Sequence, residues 1–327
     1  VNANVTKWIR RVLSAGLTLW AAYYIIEQVK DEGVSLPSPL SFAQLLWLAG
    51  AVGLAVVNLW VEAFKWKTTF RDVFTMAGGM AWKGVFLGAA VSFFMPNRLG
   101  EYSARVLVMP SRLRLAGLGG SFLNSTAVGL VTVIWGGMAA WHAFVTLPAP
   151  ASWPALSPPT GGQWLGIGAM AVPAAAFICM RYLPAWARRI AAQWKQAEPT
   201  IRPVFSWGVM GRVALLTVVR FAVYCLQLYL LLRAAGVHLP VSSAVWMIPA
   251  FFFWTSVLPT FAAIDVPVRV MIGIWLFLPL APSASVTAVV WASTILWLIN
   301  VVLPILPGIV IGWKIWRSAS FKWVTTP

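Results

Sequence analysis

The sequence predicts an all-α polytopic membrane protein made of inverted repeats. Each repeat carries a re-entrant half-helix hairpin (about 76–110 and 242–280) between flanking transmembrane helices. Three observations lead there. Charged residues make up 10% of the 327 positions and hydrophobic residues 60%, with a mean hydropathy of +0.81, whereas a soluble domain carries about 25% charged residues. The 24 Lys and Arg, against 8 Asp and Glu, gather in short stretches between apolar runs. That distribution follows the positive-inside rule and does not describe a nucleic-acid surface. Finally, two apolar runs are broken by a Pro that is followed by an acid and an Arg. All 327 residues read as one transmembrane domain, with repeat one at about 40–145, repeat two at about 211–315 and a basic cytoplasmic connector at about 181–210.

A first helix is expected at about 10–28. "KWIRRVLSAGLTLWAAYYII" has the basic flank and apolar run of a signal peptide but no small-residue cleavage site, so it reads as a retained helix. An acidic loop (Glu27, Asp31, Glu32) leads to a second helix at about 40–63, and "EAFKWKTTFRD" reads as a basic connector. The segment 76–110 is interrupted at "MPNRLG". A helix rich in Gly, Ser and Thr follows at about 116–145, then a Pro-rich loop, "LPAPASWPALSPPTGG", that lacks Lys and Arg. A helix at about 163–182 runs into "RYLPAWARRIAAQWKQAEPTIR", a basic and partly amphipathic segment expected along the membrane surface. A helix at about 211–235 carries Arg220, the segment 242–280 is interrupted at "LPTFAAIDVP", and a last helix covers about 285–315. Trp8, Trp66, Trp207, Trp313 and Trp316 flank apolar runs, as interfacial anchors do.

Charge decides between topologies. If each interrupted segment enters and leaves on one side, the basic residues at 7–11, 65–71, 112–114, 181–202 and 314–322 all face the cytoplasm. Lys30 and Arg233 then lie opposite, and both termini are cytoplasmic. A simple span at 76–110 would instead turn Arg112, Arg114 and the basic 181–202 stretch outward. At ~1.5 Å per residue, arms at 82–95 and 99–110 measure roughly 20 Å, short of a hydrocarbon core of ~30 Å. The breaks are therefore expected at intermediate depth, with the two hairpins entering from opposite sides, as in the inverted repeats of secondary transporters.

The breaks carry matching chemistry. "MPNRLGEYSARV" supplies Pro96, Glu101 and Arg105, and "LPTFAAIDVPVRV" supplies Pro259, Asp265 and Arg269, each acid four residues before its Arg. That spacing pairs the charges along a helix face. Asn97 and Asp265 are placed to cap the restarting half-helices, with Pro267 in a first turn and Gly100 allowing close approach at the tip. Free N–H groups and positive dipole ends there form a seat for an anion, to which Arg98, Arg105 and Arg269 add forked donors suited to phosphate. Arg220 lies well inside a span, with Gln227 two turns on. A mid-bilayer charge costs at least ~2.5–3.5 kcal/mol, so Arg220 calls for a headgroup or an acid such as Glu62 or Asp265. Three or more Arg against two acids leave a positive surplus. A structural alternative stays open, in which the pairs only lock half-helices together and Arg220 is a counter-ion. Asn124 reads as packing polarity and His142 as interfacial. Cys179 and Cys225 lie in apolar runs, and with two His the sequence offers no metal site and calls for no cofactor.

"MPNRLGEYSARVL" resembles the signature of the lysylphosphatidylglycerol synthetase transmembrane-region family, also called the flippase-like domain family. Pro96, Asn97, Arg98, Gly100, Glu101 and Arg105 match its first motif. Leu258, Pro259, Thr260, Asp265 and Arg269 match the second, in which Ile264 and Pro267 replace two expected glycines, and "RFAVYCLQLYLLL" is similar to a helix of stand-alone members. The resemblance implies a polytopic domain of a prokaryotic cytoplasmic (inner) membrane that moves a lipid headgroup between leaflets. The soluble synthase domain fused to some members is not found in these 327 residues, so lysyl transfer is not expected.

The resulting expectation is a lipid flippase or lipid-binding transporter for an anionic phospholipid or a polyprenyl-phosphate-linked lipid. Its expected partners are the headgroup, the membrane and a homo-oligomer or larger membrane complex. Arg98, Glu101, Arg105, Arg220, Asp265 and Arg269 would bind substrate, and Pro96, Asn97, Gly100 and Pro259 would shape the tips. The alternative is an accessory structural subunit of a larger membrane complex that uses the same fold without transport. An enzyme with Glu101 as general base ranks last, because no nucleophile–base pair or nucleotide loop is visible.

Overall fold

A chain in lipid has to satisfy its backbone internally, which favours unbroken helices wherever apolar runs are long. The computed structural model describes residues 16, 19–27, 30, 40–94, 99–147, 175, 177–182, 201–258 and 265–324. Among these there is no strand. The elements are α1 (19–27), α2 (Phe42–Thr69), α3 (Gly78–Phe94), α4 (Leu99–Leu107) and α5, whose parts Arg114–Val131 and Gly137–Thr146 join through a π-helical turn at Thr132–Gly136. They continue with α6 (Trp207–Ala234), α7 (Val241–Val257), α8 (Val266–Phe277) and α9, where Val286–Trp297 and Leu303–Val324 join through a π-helical turn at Leu298–Val302. Four stretches among the described residues are long and apolar enough to cross a membrane: Phe42–Thr69, Ser111–Thr146, Trp207–Ala234 and Val286–Ile315. The chain is an all-α membrane protein.

Local signals set the helix ends. Ser41 and Gln44 form a capping box at the start of α2, Ser41 N–H donating to Gln44 Oε1 at 2.9 Å and Gln44 N–H to Ser41 Oγ at 3.3 Å. Gly236, at φ +84°, closes α6 with Val237 N–H donating to the Leu232 carbonyl and Gly236 N–H to that of Arg233. That left-handed Schellman ending favours Gly. The expected second helix, about 40–63, runs on to Thr69, so "EAFKWKTT" is helix and not a connector. Trp66, expected as an interfacial anchor, is fully buried with its ring edge-on to Phe70, while Trp207 and Trp313 are exposed. The break residues Pro96, Asn97, Arg98 and Pro259, the 183–200 part of the basic connector and the Pro-rich loop from 148 onward lie outside the described residues.

The described chain forms two compact units. One takes Asn58–Val128, Ala176–Arg220 and Leu298–Pro327; the other takes Val1–Val57, Gly129–Ala175 and Phe221–Trp297. In the first, α3 and α4 fold back on each other as an antiparallel hairpin, with Gly84 beside Val108, Gly88 beside Arg105 and Gly100 beside Val91. A Cβ on Gly100 would lie 2.6 Å from the Val91 carbonyl and 2.8 Å from Ser92 N, so backbone meets backbone where the helices are closest. Gly308 and Gly312 of α9 pack against Phe86, Ala90 and Leu87 of α3 in the same manner. In the other unit, α7 and α8 are antiparallel, pairing Phe251 with Phe277 and Trp254 with Trp275 at ring separations of 5.7 and 6.1 Å. Gln227, buried on α6, donates to the Ala51 carbonyl at 2.9 Å.

Gly100→Ala is expected to lower the midpoint of thermal unfolding in detergent, because overpacking against rigid backbone costs about 1–3 kcal/mol. Gly129→Ala, where a Cβ meets nothing within 4 Å, is expected to leave it unchanged or raise it slightly.

Candidate functional site

The extra turns of α2 add Lys65 to a charge cluster centred on Glu62. Asn58, Glu62 and Lys65 recur at positions i, i+4 and i+7, which places them on one helix face. Glu62 is the centre of the group. Its Oε1 accepts from Arg105 Nη2 at 2.7 Å, and its Oε2 lies 3.0 Å from Lys65 Nζ and 3.0 Å from Arg220 Nη1. Arg105 also pairs with Glu101, one turn earlier on α4. Arg220 Nε donates to Asn58 Oδ1 at 2.7 Å. One carboxylate therefore holds three cations drawn from α2, α4 and α6.

Surrounding residues fix the geometry. The Arg105 guanidinium lies over the Trp66 ring, 5.4 Å from its centroid, where a cation meets the negative face of the π-system. Gly88 makes room for it: a Cβ there would lie 3.2 Å from Arg105 Cγ and Nε. Thr69 Oγ1 donates to the Lys65 carbonyl at 2.9 Å, and Asn124 Nδ2 donates to that hydroxyl at 2.8 Å. Asn124 is thus the packing polarity the sequence suggested, tying α5 to α2.

Burial makes the charge balance matter. The side chains of Glu62, Lys65 and Arg105 are each at most 4% exposed, while Arg220 at 15% and Glu101 at 22% lead outward. Three cations against two carboxylates leave one surplus positive charge among the described residues of the cluster. Two of its buried donor atoms, Asn58 Nδ2 and Arg105 Nε, have no hydrogen-bond acceptor. Lys65 Nζ and Glu62 Oε2 form a buried ion pair at 3.0 Å.

The expected residues of the second motif meet a different arrangement. Asp265 stands at the N-cap of α8, with Pro267 in the first turn as expected. Its carboxylate does not cap the helix. Oδ2 accepts from Arg269 Nε at 2.8 Å and lies 2.7 Å from Arg269 Nη2. A charge-assisted fork is stronger than a bond to a neutral backbone N–H, which explains why the cap loses. The pair carries no net charge.

Of the expected site residues, Glu101, Arg105 and Arg220 are brought into one cluster, and Asp265 and Arg269 into one pair. Arg98 lies outside the described residues. Glu62 is the acid that holds Arg220, one of the two the sequence offered. Sequence reading missed Asn58, Lys65 and Trp66 as neighbours of the site, although the 58–62–65 spacing on an apolar helix was the available signal. No group of His, Cys, Asp and Glu able to hold a metal occurs among the described residues, and Cys179 and Cys225 are not disulfide-bonded.

Comparisons with family models, with curated proteins and with solved structures return no match for this chain.

Glu62→Gln is expected to destabilise the fold by about 3–5 kcal/mol, the usual cost of leaving a buried ion without its partner. Asp72→Asn, in the exposed Arg71–Asp72 pair, is expected to leave the unfolding midpoint where it was. Equal midpoint shifts in the two variants would contradict the central place given to Glu62.

Proposed function

We propose that this chain is a lipid flippase or lipid-binding transporter, without enzymatic activity, whose ligand is the anionic headgroup of a phospholipid or polyprenyl-phosphate-linked lipid. The observation that carries the reading is the buried Glu62 cluster, which among the described residues holds three cations against two carboxylates, with Asn58 Nδ2 and Arg105 Nε lacking acceptors. An isolated surplus charge in such a place is costly, and an anionic ligand offsets it. In this reading Arg98, Arg105 and Arg220 hold the phosphate, and Glu62 and Glu101 compete for the same arginines so that the ligand leaves again.

The reading includes inverted repeats with re-entrant hairpins, in a prokaryotic inner membrane with both termini cytoplasmic. Element order supports it. A 28-residue helix, a 17-residue helix and a shorter one of 9 residues precede a long helix with a π-helical turn; then the order recurs with 28, 17 and 12 residues. The resemblance of "MPNRLGEYSAR" to the flippase-like domain signature supports the substrate class.

A second reading, an accessory subunit of a larger membrane complex, is favoured by the Asp265–Arg269 pair, which closes on itself and leaves no surplus for a ligand. Copurification with other subunits at fixed stoichiometry would favour it over transport.

In proteoliposomes, Arg105→Ala is expected to slow transbilayer movement of a labelled anionic lipid about 10–100-fold, the equivalent of losing one charged hydrogen bond. Wild-type movement in this variant, with the fold verified by its unfolding midpoint, would falsify the transport assignment.

A further inference from the structure

Outside the buried cluster, the unit that holds it gathers exposed basic residues from separate stretches of chain. Lys67 stands in the last turn of α2 with Arg71 just beyond it, Lys83 lies near the start of α3, and Arg112 and Arg114 lead into α5. Packing brings these stretches together. Gly84 lies beside Trp66 and Val108, Gly117 beside Met109, and Gly120 beside Thr69 and Phe70. Gly119 also meets Phe205 of the 3-10 turn Arg202–Phe205, which adds Arg202. Beyond Gly312, which packs on Leu87, α9 carries Lys314 and Arg317. Of the described acids in this unit, Glu62 and Glu101 belong to the buried cluster and Asp72 pairs with Arg71. The stretch 183–200 supplies Arg188, Arg189 and Lys195 against Glu198, so the sign of the balance does not turn on it.

Aromatic residues accompany the charges. Tyr182 follows Arg181, Trp207 follows the Arg202 turn and Trp313 precedes Lys314, and all three rings are exposed. Exposed rings beside exposed cations suit a headgroup layer, where the ring sits between hydrocarbon and water and the cation meets phosphate. We propose that this basic and aromatic collar is a second lipid contact, separate from the Glu62 cluster, that draws the anionic phospholipid headgroups of one leaflet around the unit. It goes beyond the headgroup site proposed above and does not require that site to transport. A soluble acidic partner would use the charges and leave the aromatic rings idle, whereas a bilayer uses both. Setting the topology needs the charges only during insertion, but a headgroup contact needs them in the folded protein. Lys67 lies five residues from Glu62, about 8 Å along the axis of α2, so lipid held at the collar stands close to the buried cluster.

The test is electron spin resonance of spin-labelled phosphatidylglycerol and phosphatidylcholine at the boundary of the full chain in phosphatidylcholine bilayers. At about 0.05 M salt, wild type is expected to prefer phosphatidylglycerol about fivefold. At about 1 M salt, where screening cuts the range of a charge to about 3 Å, the preference should fall to about twofold or less. The combined Lys67→Gln, Lys83→Gln, Arg112→Gln and Arg114→Gln variant should show that low preference at both salt concentrations. Its unfolding midpoint should stay where it was, because the four side chains are exposed. Arg105→Ala should keep the preference of wild type. No preference in wild type, or one that salt does not weaken, overturns the collar, and transbilayer movement in Arg105→Ala still decides the headgroup site. A preference that survives the four replacements also overturns it, and its loss in Arg105→Ala would move the lipid to the Glu62 cluster. Should a variant not fold, the salt dependence of wild type decides the matter.

Discussion

A single carboxylate shared by three cations constrains most of what surrounds it. Glu62 is the only acid on a mostly apolar helix, and without partners its ionised form would be intolerable in a dry interior. Lys65 answers from the next turn of the same helix, Arg105 from the short helix of the hairpin, and Arg220 from a helix far along the chain. Each partner fixes the rotation of its own helix, since a guanidinium turned away by a fraction of a turn no longer reaches. The hairpin's close approach at Gly100 and the space at Gly88 then serve the same end, bringing Arg105 within 2.7 Å of Glu62.

Two acid–Arg pairs of identical local spacing end in different electrical states. Glu101 shares its Arg105 with Glu62, which in turn holds two further cations, so the local pair is opened into a network of three cations and two carboxylates among the described residues. Asp265 keeps Arg269 to itself through both a guanidinium Nε and an Nη2. Spacing along a helix thus fixes that a pair forms but says nothing of its net charge, which depends on what other elements bring to it. That difference separates a shared charge network from a self-contained pair.

What was legible in the sequence follows the same division. The membrane class, the interrupted segments and the i, i+4 pairs depend on composition and on neighbours a few residues away, and they could be read directly. Arg220's need for Glu62 was also accessible, because the cost of a lone charge within a span forces the search for an acid. Lys65 was not. A basic residue near the end of an apolar run looks like a positive-inside flank, and what holds it inside is Glu62, a buried partner one turn back. Trp66 was misplaced for the same reason. Its amphipathic ring suits an interface, but the Arg105 guanidinium and Phe70 give it a better setting inside. Asp265 was placed correctly as the first residue before a helix, yet its carboxylate went to the stronger partner.

The unit that holds Glu62 is assembled from three separated stretches of chain, Asn58–Val128, Ala176–Arg220 and Leu298–Pro327. During synthesis at the ribosome, Glu62 and Lys65 leave the exit tunnel more than a hundred residues before Arg220 exists, and Gly308, which packs on the hairpin, comes later still. The nascent chain must therefore carry a buried carboxylate through insertion with its charge network unfinished, held by Lys65 and Arg105 alone. Chain order means that this unit cannot complete its packing until its stretch Leu298–Pro327 has been made, after every residue of the other unit.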